Sequence, residues 1–160
     1  MEFVIENYRL RATEDGKIER FWKANQSKPD RWTEIKGCKN KGYLRIDLYL
    51  TSGKRQVFIH RLVYLAYNPE WDIWDSGINN VIDHRDRDKK NNKIENLQQV
   101  TAQQNQFNTG AKGYTFNKRT KKYEARIMFD GKNNYIGGYD TPEEAHEAYL
   151  EAKKEYHRIP

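Results

Sequence analysis

The stretch VIDHRDRDKKNNKIENLQQVTAQQN, Val81–Asn105, decides how this chain is read. It opens on a short apolar run that ends in Asp83-His84. A polar segment of Asp, Arg, Lys and Asn follows. Asn96-Leu97-Gln98-Gln99-Val100 then reads as a second short strand. Thr101-Ala102-Gln103-Gln104 has the Thr-x-x-Gln pattern of a capping box, which predicts a helix with Thr101 as its N-cap. Strand, long polar loop, strand and helix therefore follow one another directly.

Asp83 closes an apolar strand immediately before His84. Neighbouring residues on a strand point to opposite sides, so a bend or crossover is needed to bring both into one pocket. Asn105 lies on the first full turn of the following helix. A carboxylate and a carboxamide leave several positions on a cation for water and phosphate, which suits Mg²⁺. Singly, each residue has a plainer use. Asp-His pairs are commoner in turns and at surfaces, and Asn91, Asn92 and Asn96 usually serve to satisfy loop backbone groups. The order and spacing of the set distinguish it.

Upstream, residues 1–58 read as short strands, with Gly16, Gly42 and Gly53 at turn-like positions. YLRIDLYL (Tyr43–Leu50) alternates at period two and pairs with the return strand SGKRQVFI through a turn at Ser52-Gly53. HRLVYLAY (His60–Tyr67) has helical spacing, and Pro69 stops it. A loop carrying Trp71, Trp74 and Gly77 leads back to Val81.

Composition narrows the class. The chain has 160 residues, 36% of them hydrophobic, and a mean hydropathy of −1.12. Aromatics reach 13%, with eleven Tyr and four Trp, which predicts small cores built on large rings rather than disorder. No apolar run approaches a membrane span, and MEFVIENYRL lacks the layout of a signal peptide. Cys38 is the single cysteine, which excludes internal disulfides and cysteine-rich zinc sites. These features predict a soluble intracellular protein. The net charge of +6 suits a polyanionic partner.

That charge is unevenly placed. From Gly113, GYTFNKRTKKYEARIMFDGKNNYIGGYD gives three strand-like runs with turns near Arg119–Lys122 and Asp130–Asn134. Thr141-Pro142-Glu143-Glu144 then starts a capped helix with Ala145, Ala148, Tyr149, Ala152 and Tyr156 on one face. Residues 111–139 hold seven Lys/Arg against two Asp/Glu, and residues 140–160 hold three against six. A basic sheet backed by an acidic helix offers the sheet to a polyanion. Gly110–Gly113 is the natural linker, dividing the chain into 1–41, 42–110 and 111–160.

IHRLVYLAYNP, VIDHRDRDKKNNKIENLQQVT and QQN together resemble the HNH endonucleases of the homing type found in phages. The resemblance spans roughly residues 42–108, and residues 1–41 form a β-rich region without an assigned role. It implies an α+β fold with a ββα-metal core and a DNA phosphodiesterase. His84 would be the general base, Asp83 a metal ligand, Asn96 the residue that braces the site, and Asn105 the second ligand, with Asn108 the less favoured choice. Many relatives have His at that last position, so the site here reads His-Asn-Asn. His60, in the family's HRLV step, would support the site structurally. Such chemistry needs a deprotonated water, neutralised phosphate charge and a stabilised leaving 3′ oxygen. One divalent ion, Mg²⁺ or Mn²⁺, suits the last two.

Residues 113–156 resemble the Apetala-two/ethylene-response-factor DNA-binding domain, carried by GYTFNKRTKKYEARI, YIGGYDT and PEEAHEAYLEAKKEYH. Tyr123 stands where that family usually has Trp. This resemblance implies double-stranded DNA as partner, with Arg119, Lys121, Arg126 and Tyr135 as its contacts. It also implies a phage-encoded protein in the cytoplasm of a bacterial host. The rival readings are a DNA-binding regulator with a catalytically silent HNH region, and a packaging-associated DNA-binding protein. One site per chain predicts a monomer or weak dimer that nicks.

Overall fold

A computed structural model describes residues 1–157 of the chain, which has an α+β architecture. Two compact units are present, Met1–Thr101 and Ala102–Pro160.

The first unit begins with an antiparallel sheet of β1 (Glu2–Ile5), β2 (Tyr8–Ala12), β3 (Ile18–Trp22) and β4 (Arg31–Glu34), paired in chain order. A second sheet holds β5 (Cys38–Asn40), β6 (Tyr43–Leu50) and β7 (Gly53–Phe58). The alternation in YLRIDLYL does what period two requires. Ile46 and Leu48 turn into the core, while Asp47 and Tyr49 face outward. Helix α1 (Ile59–Tyr67) starts one residue before the expected His60, and buries Ile59, His60, Leu62, Val63 and Ala66. Then come β8 (Val81–His84), a short 3₁₀ turn at Ile94–Asn96, and β9 (Leu97–Val100).

Residues 1–41, left without a role by their pattern alone, are built into the same core. Ile5, Tyr8, Leu10, Ala12 and Ile18 cluster with Ile46, Leu48, Val57, Leu62, Val63, Ile82 and Leu97. Burying such aliphatic side chains stabilises by about 1.5–3 kcal/mol each, so the first sheet is part of the scaffold beneath β8 and β9. The contact is also local. Gly16, at the β2–β3 turn with φ +79°, lies so close to the backbone of Asn92 that an added Cβ would sit 2.4 Å from its carbonyl carbon. Only glycine meets both the backbone angle and the approach.

The second unit holds α2 (Ala102–Phe107), then β10 (Tyr114–Asn117), β11 (Lys122–Phe129) and β12 (Lys132–Tyr139) as one antiparallel sheet, and α3 (Pro142–Tyr156). Helix α3 has the expected start. The Thr141 hydroxyl accepts from the Glu144 N–H (3.3 Å), the Glu144 carboxylate accepts from the Thr141 N–H (3.4 Å), and Pro142 opens the helix. Ala145 and Tyr149 are buried with Ala125 and Ile127 of β11. Tyr156, placed by spacing on the same face, is instead exposed and packs its ring 5.1 Å from Phe129. No helix among the described residues is long and apolar enough to cross a membrane.

Candidate active site

β8 and β9 form an antiparallel ladder in which Asp83 faces Gln98 and His84 faces Leu97. The apolar residues Ile82, Leu97 and Val100 anchor the ladder in the core, which is why so polar a segment is held in register. The strand ends at His84. Its carbonyl accepts from the Arg87 N–H in a tight turn, with Arg87 at φ +67°. Asp83 and His84 are both buried, at 9% and 2% exposure. Each has a separate carboxamide partner. Gln98 Nε2 donates to Asp83 Oδ2 (3.2 Å), and His84 Nε2 lies 3.0 Å from Asn92 Oδ1. A carboxamide oxygen only accepts, so in this contact Nε2 carries the hydrogen and the basic lone pair of the neutral ring is on Nδ1.

Asn96 closes the loop between the strands. Its Oδ1 accepts from the Asp86 N–H (3.0 Å), and its Nδ2 donates to Asp86 Oδ1 (2.9 Å) and the Asn91 carbonyl (2.7 Å). The Asn96 carbonyl accepts from the Arg85 N–H. One side chain thus ties both ends of the loop that carries Asn92. Asn91 adds a bond to Asp86 Oδ2 (2.7 Å). Hydrogen bonds from Asn91, and then from Asn96, hold the Asp86 carboxyl below the usual carboxylate range.

Aromatic rings form the floor. The His60 ring meets His84 edge-on at 5.0 Å, Tyr43 lies 5.2 Å from His60 and 5.8 Å from His84, and Phe58 stacks on His60 at 5.5 Å. Burial, followed by the charges of His84 and Arg61, lowers the pKa of His60 from 6.5 to about 3. His60 is therefore a neutral packing ring, and its Nδ1 is buried without a hydrogen bond. Burial and the Asp83 charge push the Tyr43 hydroxyl up, so the field of Asp83 reaches that ring. Lys89 covers the other side of Tyr43, 4.5 Å from its centroid. Gln98 Oε1 is likewise buried with no partner, an arrangement that costs about 1–3 kcal/mol when nothing fills it.

Arg61 is half-buried and braces the loop that leads from α1 to β8. It donates to the carbonyls of Ile73 (2.7 Å), Asn80 (3.2 Å) and Asp75 (3.3 Å), and stacks over Trp71.

Asp83, His84, Asn96 and His60 all belong to the first unit. Asn105 lies on α2 in the second, as do the four candidate DNA contacts. There Arg126 points away from the buried Ala125 and Ile127, pairs with Glu124 (3.2 Å), and lies 5.5 Å over the ring of Tyr135. Arg119 and Lys121 are exposed in the β10–β11 turn, Lys121 with φ +53°.

Sequence reasoning passed over three residues at the site: Gln98, Tyr43 and the His84-binding role of Asn92. Gln98 was open to discovery, because pairing the two strands about Asp83 puts it directly opposite. Tyr43 comes from a remote strand, and no local pattern marks it.

Residues 57–107 match the HNH endonuclease family profile. An uncharacterised HNH endonuclease of Acanthamoeba polyphaga mimivirus is 32% identical over 111 residues, covering 66% of this chain and 29% of that protein. The chain thus spans less than a third of its viral relative. A structure of DNA binding and cleavage by the HNH homing endonuclease I-HmuI aligns with a TM-score of 0.44 and 24% identity, over 88% of this chain and 75% of that one. The stretch that holds Asp83, His84, Asn92, Asn96 and Gln98 is the part of this chain that is similar to the HNH endonucleases.

Proposed function

We propose that this protein is a metal-dependent DNA endonuclease of homing type that hydrolyses a phosphodiester in double-stranded DNA. The observation that supports it best is the buried Asp83-His84 pair at the end of β8, each member held by its own carboxamide. Such burial of two polar side chains is costly without a task that needs them fixed.

In this reading His84 removes the proton of the attacking water at Nδ1, with Asn92 keeping the hydrogen on Nε2. His60, neutral and packed against it, orients the ring without competing for the proton. Asn96 acts through the loop, by fixing Asn92. The donor set fits a hard divalent cation, since Asp83 offers a carboxylate and its neighbours are carboxamides. Asn105 is assigned as the second ligand on the family resemblance alone. One Mg²⁺ or Mn²⁺ bound there would neutralise phosphate charge and stabilise the leaving 3′ oxygen. The sheet of the second unit supplies DNA affinity through Arg119, Lys121, Arg126 and Tyr135, in the manner of an Apetala-two-like domain. The protein acts as a monomer or weak dimer in a host cytoplasm, nicking one strand per encounter.

The test is supercoiled plasmid incubated with Mg²⁺ or Mn²⁺. Wild type is expected to give open circles, and His84→Ala to lose that activity by at least about 100-fold. Full nicking by His84→Ala would remove the base assignment.

A further inference from the structure

Gln98 is buried to 7% exposure on β9, directly across the ladder from Asp83. Its Nε2 donates to Asp83 Oδ2, and its Oε1 is buried with no hydrogen-bond partner. A dry carbonyl oxygen without a donor is a costly thing to keep, and the flanking positions Leu97 and Val100 show that apolar side chains fit this strand. Rotating the amide gives no relief, because Oε1 would then face a carboxylate, acceptor against acceptor. Asp83 therefore dictates which end of the amide it meets, and an acceptor is left beside the same carboxylate. His60 Nδ1, the other unpaired buried atom at the site, has no such partner to fix it, and its ring is accounted for by stacking.

We propose that Gln98 is a positioning residue for a divalent cation at Asp83. Its Nε2 holds the carboxylate in one orientation, and its Oε1 accepts a hydrogen bond from a water of the cation's hydration shell. A hard cation such as Mg²⁺ keeps several waters, and such outer contacts set its affinity. The pattern parallels the other half of the site, where Asn92 holds His84. This inference rests on the reading of Asp83 as a cation ligand.

The experiment is a titration of the full chain with Mn²⁺, without DNA, followed by electron paramagnetic resonance, on wild type, Gln98→Met and Gln98→Glu. Thermal melts without metal confirm that each variant is folded. Gln98→Met matches the volume and removes both polar atoms, and it is expected to weaken Mn²⁺ binding by roughly 10–100-fold while remaining folded. Gln98→Glu keeps an acceptor oxygen and should bind Mn²⁺ at least as tightly as wild type, although its added charge beside Asp83 lowers the metal-free melt. A purely structural glutamine would give the reverse order, with Gln98→Met binding Mn²⁺ normally. Gln98→Met that binds Mn²⁺ as tightly as wild type overturns the Gln98 role and leaves the nuclease reading standing. Wild type that binds no Mn²⁺ overturns both.

Discussion

His60 makes the stability of the first unit depend on pH in a way that can be worked out beforehand. Its ring is 6% exposed, enclosed by Phe58, Tyr43 and His84, with the Arg61 charge nearby. The folded-state pKa is about 3 against 6.5 in the open chain. The unfolded state thus takes up a proton first as pH falls, and the folded state resists it. The contribution to stability is complete above the unfolded value and declines as pH drops from there towards about 3. At about 1.36 kcal/mol per unit, the full span is roughly 4–5 kcal/mol, of which roughly 2 kcal/mol is lost between about pH 7 and about pH 5. Guanidinium denaturation of wild type and His60→Phe across that interval reads this directly. The carboxylates and the other histidines are common to both proteins, so the difference between their stability curves reads His60 together with its coupling to His84. Wild type should lose roughly 2 kcal/mol relative to His60→Phe, through the midpoint rather than the slope. A flat difference across the interval would refute the claim that the ring is held neutral by burial.

Two further outcomes are expected in the second unit. Gly113 has φ +74°, and a Cβ there would lie 1.9 Å from the ring of the buried Tyr149. Gly113→Ala should therefore cost roughly 2–5 kcal/mol and lower the melting temperature of that unit by more than about 10 °C. A melt within about 2 °C of wild type would contradict the close approach. Arg126→Ala should weaken DNA binding by about 1–3 kcal/mol, at one base position if it reads a base and uniformly if it meets phosphate. Glu124→Gln releases Arg126 from its pair and should tighten binding at fixed salt. Anisotropy titrations that show Glu124→Gln weakened would point to Glu124, not Arg126, as the contact.

Legibility in the sequence followed the range of the interactions. The β6–β7 hairpin, α1, the β8-loop-β9-helix order and the capped α3 were readable because period and capping chemistry are local. Asp83 and His84 stood out because an apolar strand ended on them. The scaffold role of residues 1–41 was not readable. Leu10 and Ile18 look like any strand residues, and their partners Leu62 and Val63 lie some fifty residues further on. The floor of the site was hidden for the same reason, since Tyr43 reaches His84 only through tertiary packing. Tyr156, on the last turn of α3, meets the Phe129 ring at the end of β11 and stays 40% exposed, so its place on the apolar stripe brings contact without full burial.

The seat of Gly16 against Asn92 bears on how this protein can be recombined. The family match begins at residue 57, yet the loop that holds His84 leans on the turn at Gly16, about forty residues before that start. A chimera joined at the start of the match would inherit the motif and leave behind the surface that shapes it. Exchanges that keep the chain from its first strand carry the loop and its mould together. Drift at the β2–β3 turn, far from any motif in sequence, would be felt at the histidine.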